Sequence, residues 1–424
     1  MNRQEVCWQL TCASCGEVYP GLELRYRCAC GRPLDVTLPT PTMTPESIDA
    51  RLTSRRAIDR SGVWRFREWV LPLDEADIVT RAEGHTNLYD APTLAAHVGL
   101  DRLWLKHEGE NPTGSFKDRG MTAAISVARR LGKRRVACAS TGNTSASMAS
   151  YAAAAGMQAY VFIPEGKVAF GKLSQAMAFG AKTLQIEGDF DRAMHLVQAV
   201  SAAEDIYLVN SVNPFRIEGQ KAIGFEILQD LEWNVPDWIV LPGGNLGNNW
   251  AIAKGMLELK AAGFIDRLPR IAVIQAQGAN PFFRAFATRS DLEPMNAETV
   301  ATAIRIGNPV SFYRARRGLN QSDGVVAEVS DQAIVDAKAA VDAAGIGAEP
   351  ASCATVAGLR QLVESKVIRA DERVVGVLTG HVLKDPGLVV DYHLGRLDTL
   401  TSEHANPPVT VKATEAAVLA AIHG

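Results

Sequence analysis

The stretch RVACASTGNTSASMASYAAAA, residues 135–155, runs from a short apolar segment through the polar turn ASTGNTSAS into a helix-like pattern of small and apolar residues. An apolar run too short for a helix, a turn rich in Gly, Ser, Thr and Asn, and then an amphipathic stretch make one strand–turn–helix unit. The same grammar recurs in both directions along the chain. Strands are expected at residues 103–106, 136–139, 160–163, 183–186, 239–241, 271–274 and 374–378. Helices are expected at 121–131, 145–155, 190–203, 217–231, 250–262, 331–344 and 354–365. Alternation of this kind specifies an α/β fold with mostly parallel sheets.

The chain has 424 residues, 47% apolar and 21% charged, which is more than one hydrophobic core organises. A formal charge of -3 and a pI near 6.3 provide no broad basic field. Neither nucleic acid nor an anionic membrane surface is therefore an expected partner. No run reaches the roughly 20 apolar residues needed to cross a bilayer, and the opening MNRQEVCWQL lacks the apolar core of a secretory signal, so a cytoplasmic protein is expected. Of seven cysteines, five fall at Cys7, Cys12, Cys15, Cys28 and Cys30. Such crowding at one end favours a metal site over a disulfide framework.

Three regions are expected. Residues 1–38 form a small cysteine module, set off by the Pro/Thr-rich LPTPTMTPES. Residues 39–84 are a linker and extension packed on the body, and residues 85–424 are a catalytic region in which a smaller mobile subdomain, about 120–210, is inserted. Within the module, Cys12-x-x-Cys15 and Cys28-x-Cys30 beside turn glycines offer four thiolates from two tight loops. That set suits tetrahedral structural zinc, with Cys7 as a spare ligand and a metal-free remnant as the competing reading.

Four strings carry chemistry. GENPTGSFKDRGM (109–121) sets Lys117 at the entrance of a helix. ASTGNTSAS presents hydroxyls, an amide and backbone N–H groups at a helix N-terminus, where anions are favoured. LPGGNLGNN (241–249) is a glycine-rich strand-to-helix turn whose backbone can approach a phosphate, although it fits neither common nucleotide fingerprint. VLTGHVLKDP (377–386) places Thr379 beyond a strand's carboxyl end, where ligands of open α/β sheets gather. Singly, each has a bland alternative: a surface lysine, an ordinary cap, a tight turn, a structural loop. Together they provide an amine, donors for a carboxylate, a phosphate cage and a hydroxyl, which are the parts pyridoxal phosphate requires.

NPTGSFKDRG, STGNTSAS, NSVNPFRIEGQK (210–221), PGGNLGN, EPASCATVAGL and LTGHVLKD resemble, in order, the segments of the threonine synthase family of fold-type-II (tryptophan synthase β-like) pyridoxal-phosphate enzymes. The resemblance implies a two-domain architecture of that fold type preceded by a zinc-ribbon-like module. It implies Lys117 as the Schiff-base lysine, Asn143 on the cofactor's phenolic oxygen, Gly243, Gly244, Asn245, Leu246 and Gly247 around its phosphate, and Thr379 at its ring nitrogen. Ser140, Thr141 and Thr144 are implied as substrate contacts, with Asn210, Ser211 and Arg216 clamping a substrate phosphate. The reaction implied is conversion of O-phospho-L-homoserine and water to L-threonine and phosphate, by γ-elimination followed by β-addition of water. The substrate is thus an amino-acid phosphate ester, and a homodimer is the form implied. Two departures stand out: Asn87 in EGHTNLY where the family has proline, and Val382 where glycine is common. The rival readings are a threonine or serine dehydratase or a phosphoserine-using β-replacement enzyme on the same fold, and, from another class, an inactive zinc-ribbon binding protein.

Overall fold

The computed structural model describes residues 5–165, 170–187, 197, 199–201 and 203–423. It holds three sheets. The first 40 residues contribute an antiparallel three-stranded sheet in the order β2-β1-β3, with β1 Gln9–Cys12, β2 Val18–Pro20 and β3 Leu34–Thr37. The largest sheet has six strands in the order β12-β11-β10-β13-β5-β4, comprising β4 Leu88–Asp90, β5 Leu103–His107, β10 Trp238–Pro242, β11 Arg270–Ala276, β12 Val325–Val329 and β13 Val374–Leu378. All its pairings are parallel except β4 against β5. The third sheet is parallel and four-stranded, β8-β7-β6-β9, built from β6 Arg135–Ala139, β7 Gln158–Pro164, β8 Lys182–Ile186 and β9 Tyr207–Leu208. Every strand expected from the sequence is present. β4, β9 and β12 and the three strands of the cysteine module were not among them; all but β12 have only two to four residues, too few for a pattern to stand out. Most of the helix expected at 190–203 lies outside the described residues.

The central strands β10 and β13 are buried at every position, as expected of parallel strands covered on both faces. The helix Phe215–Asp230 is likewise buried along almost its whole length. It crosses the helix Lys117–Arg130 at two glycines. A Cβ on Gly219 would lie 1.9 Å from the Arg119 carbonyl oxygen, and one on Gly120 would lie 2.8 Å from that of Arg216. Backbone-to-backbone approach of this kind needs glycine on both sides. It sets the first turns of the two helices, and hence Lys117 and Arg216, beside each other.

The extension at 46–84, which shows no periodicity, forms short helical turns whose Trp64 and Trp69 are buried against the body. Trp64 Nε1 donates to Thr122 Oγ1 (2.7 Å) on the Lys117 helix.

Candidate active site

Three adjacent strands of the large sheet deliver three of the four strings. β10 leads into the Gly243–Gly247 turn, β13 ends at Thr379, and β5 leads through a short 3-10 turn to Lys117. The Phe116 N–H donates to the Thr379 carbonyl (3.1 Å), and Ser115 bridges Gly380. The lysine loop is thereby stitched to the end of the neighbouring strand. Lys117 opens its helix, with Nζ 4.0 Å from the centroid of the Phe116 ring. Burial first, then the guanidinium of Arg216, push its ammonium from 10.5 down to about 7, against the opposing pull of Glu349. An amine with a sizeable neutral fraction near pH 7 can act as a nucleophile and as a base.

Around the end of β13 the hydroxyls form a closed set. Ser352 Oγ accepts the N–H groups of Thr379 (2.8 Å) and Gly380 (2.9 Å) and lies 3.0 Å from Thr379 Oγ1. Glu349, at the N-cap of the helix Pro350–Glu364, receives both of its contacts of interest here: Asn143 Nδ2 at 3.0 Å and, more weakly, Thr379 Oγ1 at 3.5 Å. Burial raises the Glu349 carboxyl, while Asn143 and the cations Lys384 and Lys117 oppose that rise. Asn143 belongs to the small-sheet half and Thr379 to the large sheet, so this carboxylate joins the two.

In the glycine-rich turn, Gly243 is committed to the sheet: its N–H donates to Ile274 (2.7 Å) and its carbonyl accepts from Gln275 Nε2 (3.1 Å). Its amide is therefore taken up by the sheet, and Gly244, Asn245, Leu246 and Gly247 form the part of the turn beyond it. What Gly243 contributes is the missing side chain, since a Cβ would lie 2.5 Å from Val273 Cγ1. Leu246 adopts the left-handed conformation (φ 63°, ψ 6°) immediately before the helix Gly247–Ala261. Strain of this kind persists where a turn serves a site. First-turn amides of a helix have no intrahelical acceptor. In that first turn, both side-chain amide atoms of Asn248 are buried without a partner among the described residues. A buried orphan amide marks the place of a group that would satisfy it. Asn248 lies inside the quoted string, yet which side chain of NLGNN turns inward is a tertiary matter.

The small sheet delivers the rest. β6 ends at Ala139, so Ser140, Thr141 and Thr144, all half-buried, flank the start of the helix Asn143–Ala154. β9 runs beside β6 and leads to Asn210, whose side chain spans to Ala139 by accepting its N–H (3.3 Å). Ser211 follows, half-buried. Arg216, 3% exposed, donates from Nη1 to the Val209 carbonyl (3.1 Å); its Nε has no partner, and it forms no ion pair among the described residues. Burial drives its guanidinium down to about 10. The Lys117 amine thus lies within the field of a buried guanidinium that has no carboxylate partner among the described residues, and that arrangement favours an anionic ligand.

Apart from this site, the sulfurs of Cys12 and Cys30 lie 3.6 Å apart, those of Cys15 and Cys28 3.5 Å apart, and all four within 4.8 Å of one another. Every cysteine is a free thiol. Cys7 is not among the four clustered sulfurs.

Residues 79–380 match the family model described as pyridoxal-phosphate dependent enzyme. The chain is 46% identical over 382 residues to a threonine synthase of Methanocaldococcus jannaschii, covering 89% of this chain and 93% of that one. It is 48% identical over 388 residues to a threonine synthase of Methanosarcina acetivorans, covering 91% and 94%. Its fold resembles that of a processed threonine deaminase isoform 2 from Solanum lycopersicum (TM-score 0.62, 21% identity, 81% of this chain and 91% of that one). It also resembles maize serine racemase (TM-score 0.63, 20% identity, 84% and 99%). Among the described residues no helix is long and apolar enough to cross a membrane. With an amine, an orphaned amide beside an anion cradle and a strand-end hydroxyl all gathered at one end of the large sheet, the chain belongs to the pyridoxal-phosphate dependent enzymes and, among them, to the threonine synthases.

Proposed function

We propose that the chain converts O-phospho-L-homoserine and water to L-threonine and phosphate with pyridoxal phosphate as cofactor. The observation that carries the phosphate ester is Arg216, a buried guanidinium without a carboxylate partner among the described residues, whose charge is felt by Lys117. A dehydratase acting on threonine or serine has no second anion to place there.

Pyridoxal phosphate fits these residues: Gly244, Asn245, Leu246 and Gly247, with the orphaned Asn248 amide, would hold its phosphate, Asn143 its phenolic oxygen and Thr379 its ring nitrogen. Bound there, the cofactor supplies an aldehyde to capture an amine and an electron sink for the carbanion formed beside it. The protein's own residues do the rest. Lys117 anchors the cofactor at rest and, with its ammonium pushed down to about 7, takes the substrate's α-proton and returns protons later in turnover. Ser140, Thr141 and Thr144 hold the substrate carboxylate at the N-terminus of the Asn143 helix, where the dipole favours a negative charge. Asn210, Ser211 and Arg216 hold the phosphate at the other end of the substrate, and Arg216 stabilises the charge that grows as phosphate leaves. Closure of the small-sheet half over the large sheet would keep water out until elimination is complete. Thr379, whose neutral hydroxyl lies 3.0 Å from Ser352 Oγ, would meet the ring nitrogen without the negative charge that an Asp partner would bring.

The four cysteines are proposed to hold zinc. A tetrahedral site with Zn–S of about 2.3 Å has sulfurs roughly 3.8 Å apart, close to the observed 3.5 and 3.6 Å; a disulfide would need about 2.0 Å. The proposal includes a cytoplasmic homodimer: a reducing compartment keeps all seven cysteines as thiols, and the mass in solution checks the dimer.

The test is phosphate release from O-phosphohomoserine measured beside threonine, serine and phosphoserine, with the Lys117→Ala variant as control. Threonine and phosphate in equal amounts from the first substrate alone is the expected result. Ammonia release from threonine or serine at a comparable rate would replace this reading by a dehydratase. Lys117→Ala should lose the cofactor's visible absorbance and the activity together.

A further inference from the structure

The cysteine module touches both halves of the molecule. On one side β3 is fastened to helices packed on the large sheet. Asp35 accepts from Trp250 Nε1 (2.8 Å) and pairs with Arg314 (3.2 Å), and the Val36 carbonyl accepts from Lys254 (2.7 Å). These contacts are largely buried and hold the module as part of the body. On the other side, two residues before Cys28, Tyr26 reaches β9 of the small sheet. Its hydroxyl oxygen accepts the Leu208 N–H at 2.8 Å, and its ring lies 6.1 Å from that of Tyr207. Tyr26 packs with Leu208, Ala137 and Phe162 in the small sheet's own core.

β9 is an edge strand of two residues, in register with β6 at Tyr207 and Leu208 and tied once more by the Val209 N–H on the Ala137 carbonyl (2.9 Å). So short an edge is weakly held by its ladder. The Leu208 peptide is gripped from both sides instead, its N–H by Tyr26 and its carbonyl by Asn213 Nδ2 (2.9 Å). The next carbonyl, of Val209, is the one that accepts from Arg216, and Asn210 and Ser211 follow directly. A continuous path of hydrogen bonds and single peptides therefore runs from the second cysteine knuckle to the phosphate clamp.

We propose that Tyr26 is a positioning residue for the phosphate clamp, held in place by a divalent metal on Cys12, Cys15, Cys28 and Cys30, so that metal occupancy sets the affinity for phosphate groups but not for the cofactor. The inference rests on the clamp reading above. Binding of the cation displaces the protons still held by these thiols, which pass to solvent, and adds a tie at Cys28 to a loop otherwise held by Tyr26, by the Arg27–Pro33 bridge and by the Cys28 N–H on the Arg32 carbonyl (2.9 Å). The Tyr26–Leu208 contact itself touches neither the Gly244–Gly247 turn nor Lys117; the separate path from Asp35 through Arg314 and Ser311 is the one that leads to Asn245.

The test uses the holoenzyme, with inorganic phosphate as the probe so that it does not depend on which substrate is turned over. Phosphate binding is measured by calorimetry, cofactor binding by visible absorbance, and metal content by elemental analysis. Tyr26→Phe keeps the ring and removes the hydroxyl. It should retain one zinc per chain, weaken phosphate about fivefold, raise KM for O-phosphohomoserine by a similar factor, and leave kcat and cofactor affinity within twofold. A Cys28→Ser/Cys30→Ser variant, and wild type stripped by a chelator, should lose zinc and weaken phosphate at least as much. Zinc or cobalt returned to the stripped protein should restore phosphate binding, cobalt with thiolate charge-transfer absorbance. Unchanged phosphate affinity in Tyr26→Phe, or in zinc-free protein, overturns the proposal, as does an equal loss of cofactor affinity. Normal metal-dependent phosphate binding without threonine production would overturn the functional reading instead and leave this one standing.

Discussion

Two buried arginines near the start of one helix crossing live in opposite surroundings. Arg119, two residues after Lys117, meets Glu108 through Nε and Nη2 (both 2.6 Å) and Glu226 through Nη2 (2.5 Å). Glu226 is shared further with Arg65 (3.0 Å) and Lys106 (3.1 Å). Although burial opposes it, Glu108 and then Glu226 hold the Arg119 guanidinium above its ordinary value. Arg216, facing it across the glycine crossing, has no carboxylate among the described residues, and burial lowers it to about 10. A buried charge with its counter-ion built in belongs to the scaffold. One whose counter-ion is absent waits for a ligand.

The sharpest way to break that contrast is to remove each charge in turn. Arg119→Met leaves the buried Glu108 without its arginine and takes one of three cations from Glu226; it should lower unfolding free energy by about 3–5 kcal/mol, read by denaturant titration, with activity falling only as folded protein is lost. Arg216→Met should do the reverse: kcat/KM for O-phosphohomoserine should fall on the order of 100-fold while stability stays level or rises. Equal stability losses in the two variants would erase the distinction. Gly219→Ala drives a methyl into the Arg119 carbonyl and should cost about 1–3 kcal/mol, with activity reduced as Lys117 and Arg216 are pushed apart. Asn248→Ala should weaken cofactor binding by several-fold, about 1 kcal/mol, without loss of stability, as measured by equilibrium dialysis.

The same contrast has a pH signature. In cofactor-free protein Lys117 titrates near 7 rather than 10.5. Between those values the unfolded chain carries a proton that the folded chain has shed, so this residue's contribution to stability increases as pH rises through that window. Arg216→Met removes one of the two causes of the shift. The pH at which Lys117 becomes reactive toward an amine reagent, followed by mass spectrometry, should then move upward; Arg119→Met, whose charge is neutralised by its own carboxylates, should leave it in place.

What could be read in advance was local. Lys117, the STGNTSAS turn, the glycine-rich turn and Thr379 each occupy a strand-to-helix or strand-end position; three of them follow adjacent strands of the large sheet, and the STGNTSAS turn follows β6 of the small one. Within the glycine-rich turn, only the structure shows that the Gly243 amide completes the sheet. Glu349 was inside a recognised segment but carried no local sign that it would meet Asn143, some two hundred residues earlier. Asn248 could not be told from Asn249 by sequence, although the side-chain amide of one is buried without a partner among the described residues and the other donates to the Pro242 carbonyl.

The sequence by itself determined the order of strands and helices, the turns between them and the chemical types brought to those turns, since periodicity and turn preference act over a few residues. Tertiary structure alone decided that Arg119 is neutralised and Arg216 is not, that two glycines let their helices touch, and that Tyr26 reaches the edge of the small sheet. Charge compensation and close packing depend on which distant segments share a volume from which water is excluded, and that is settled only when the whole chain has folded.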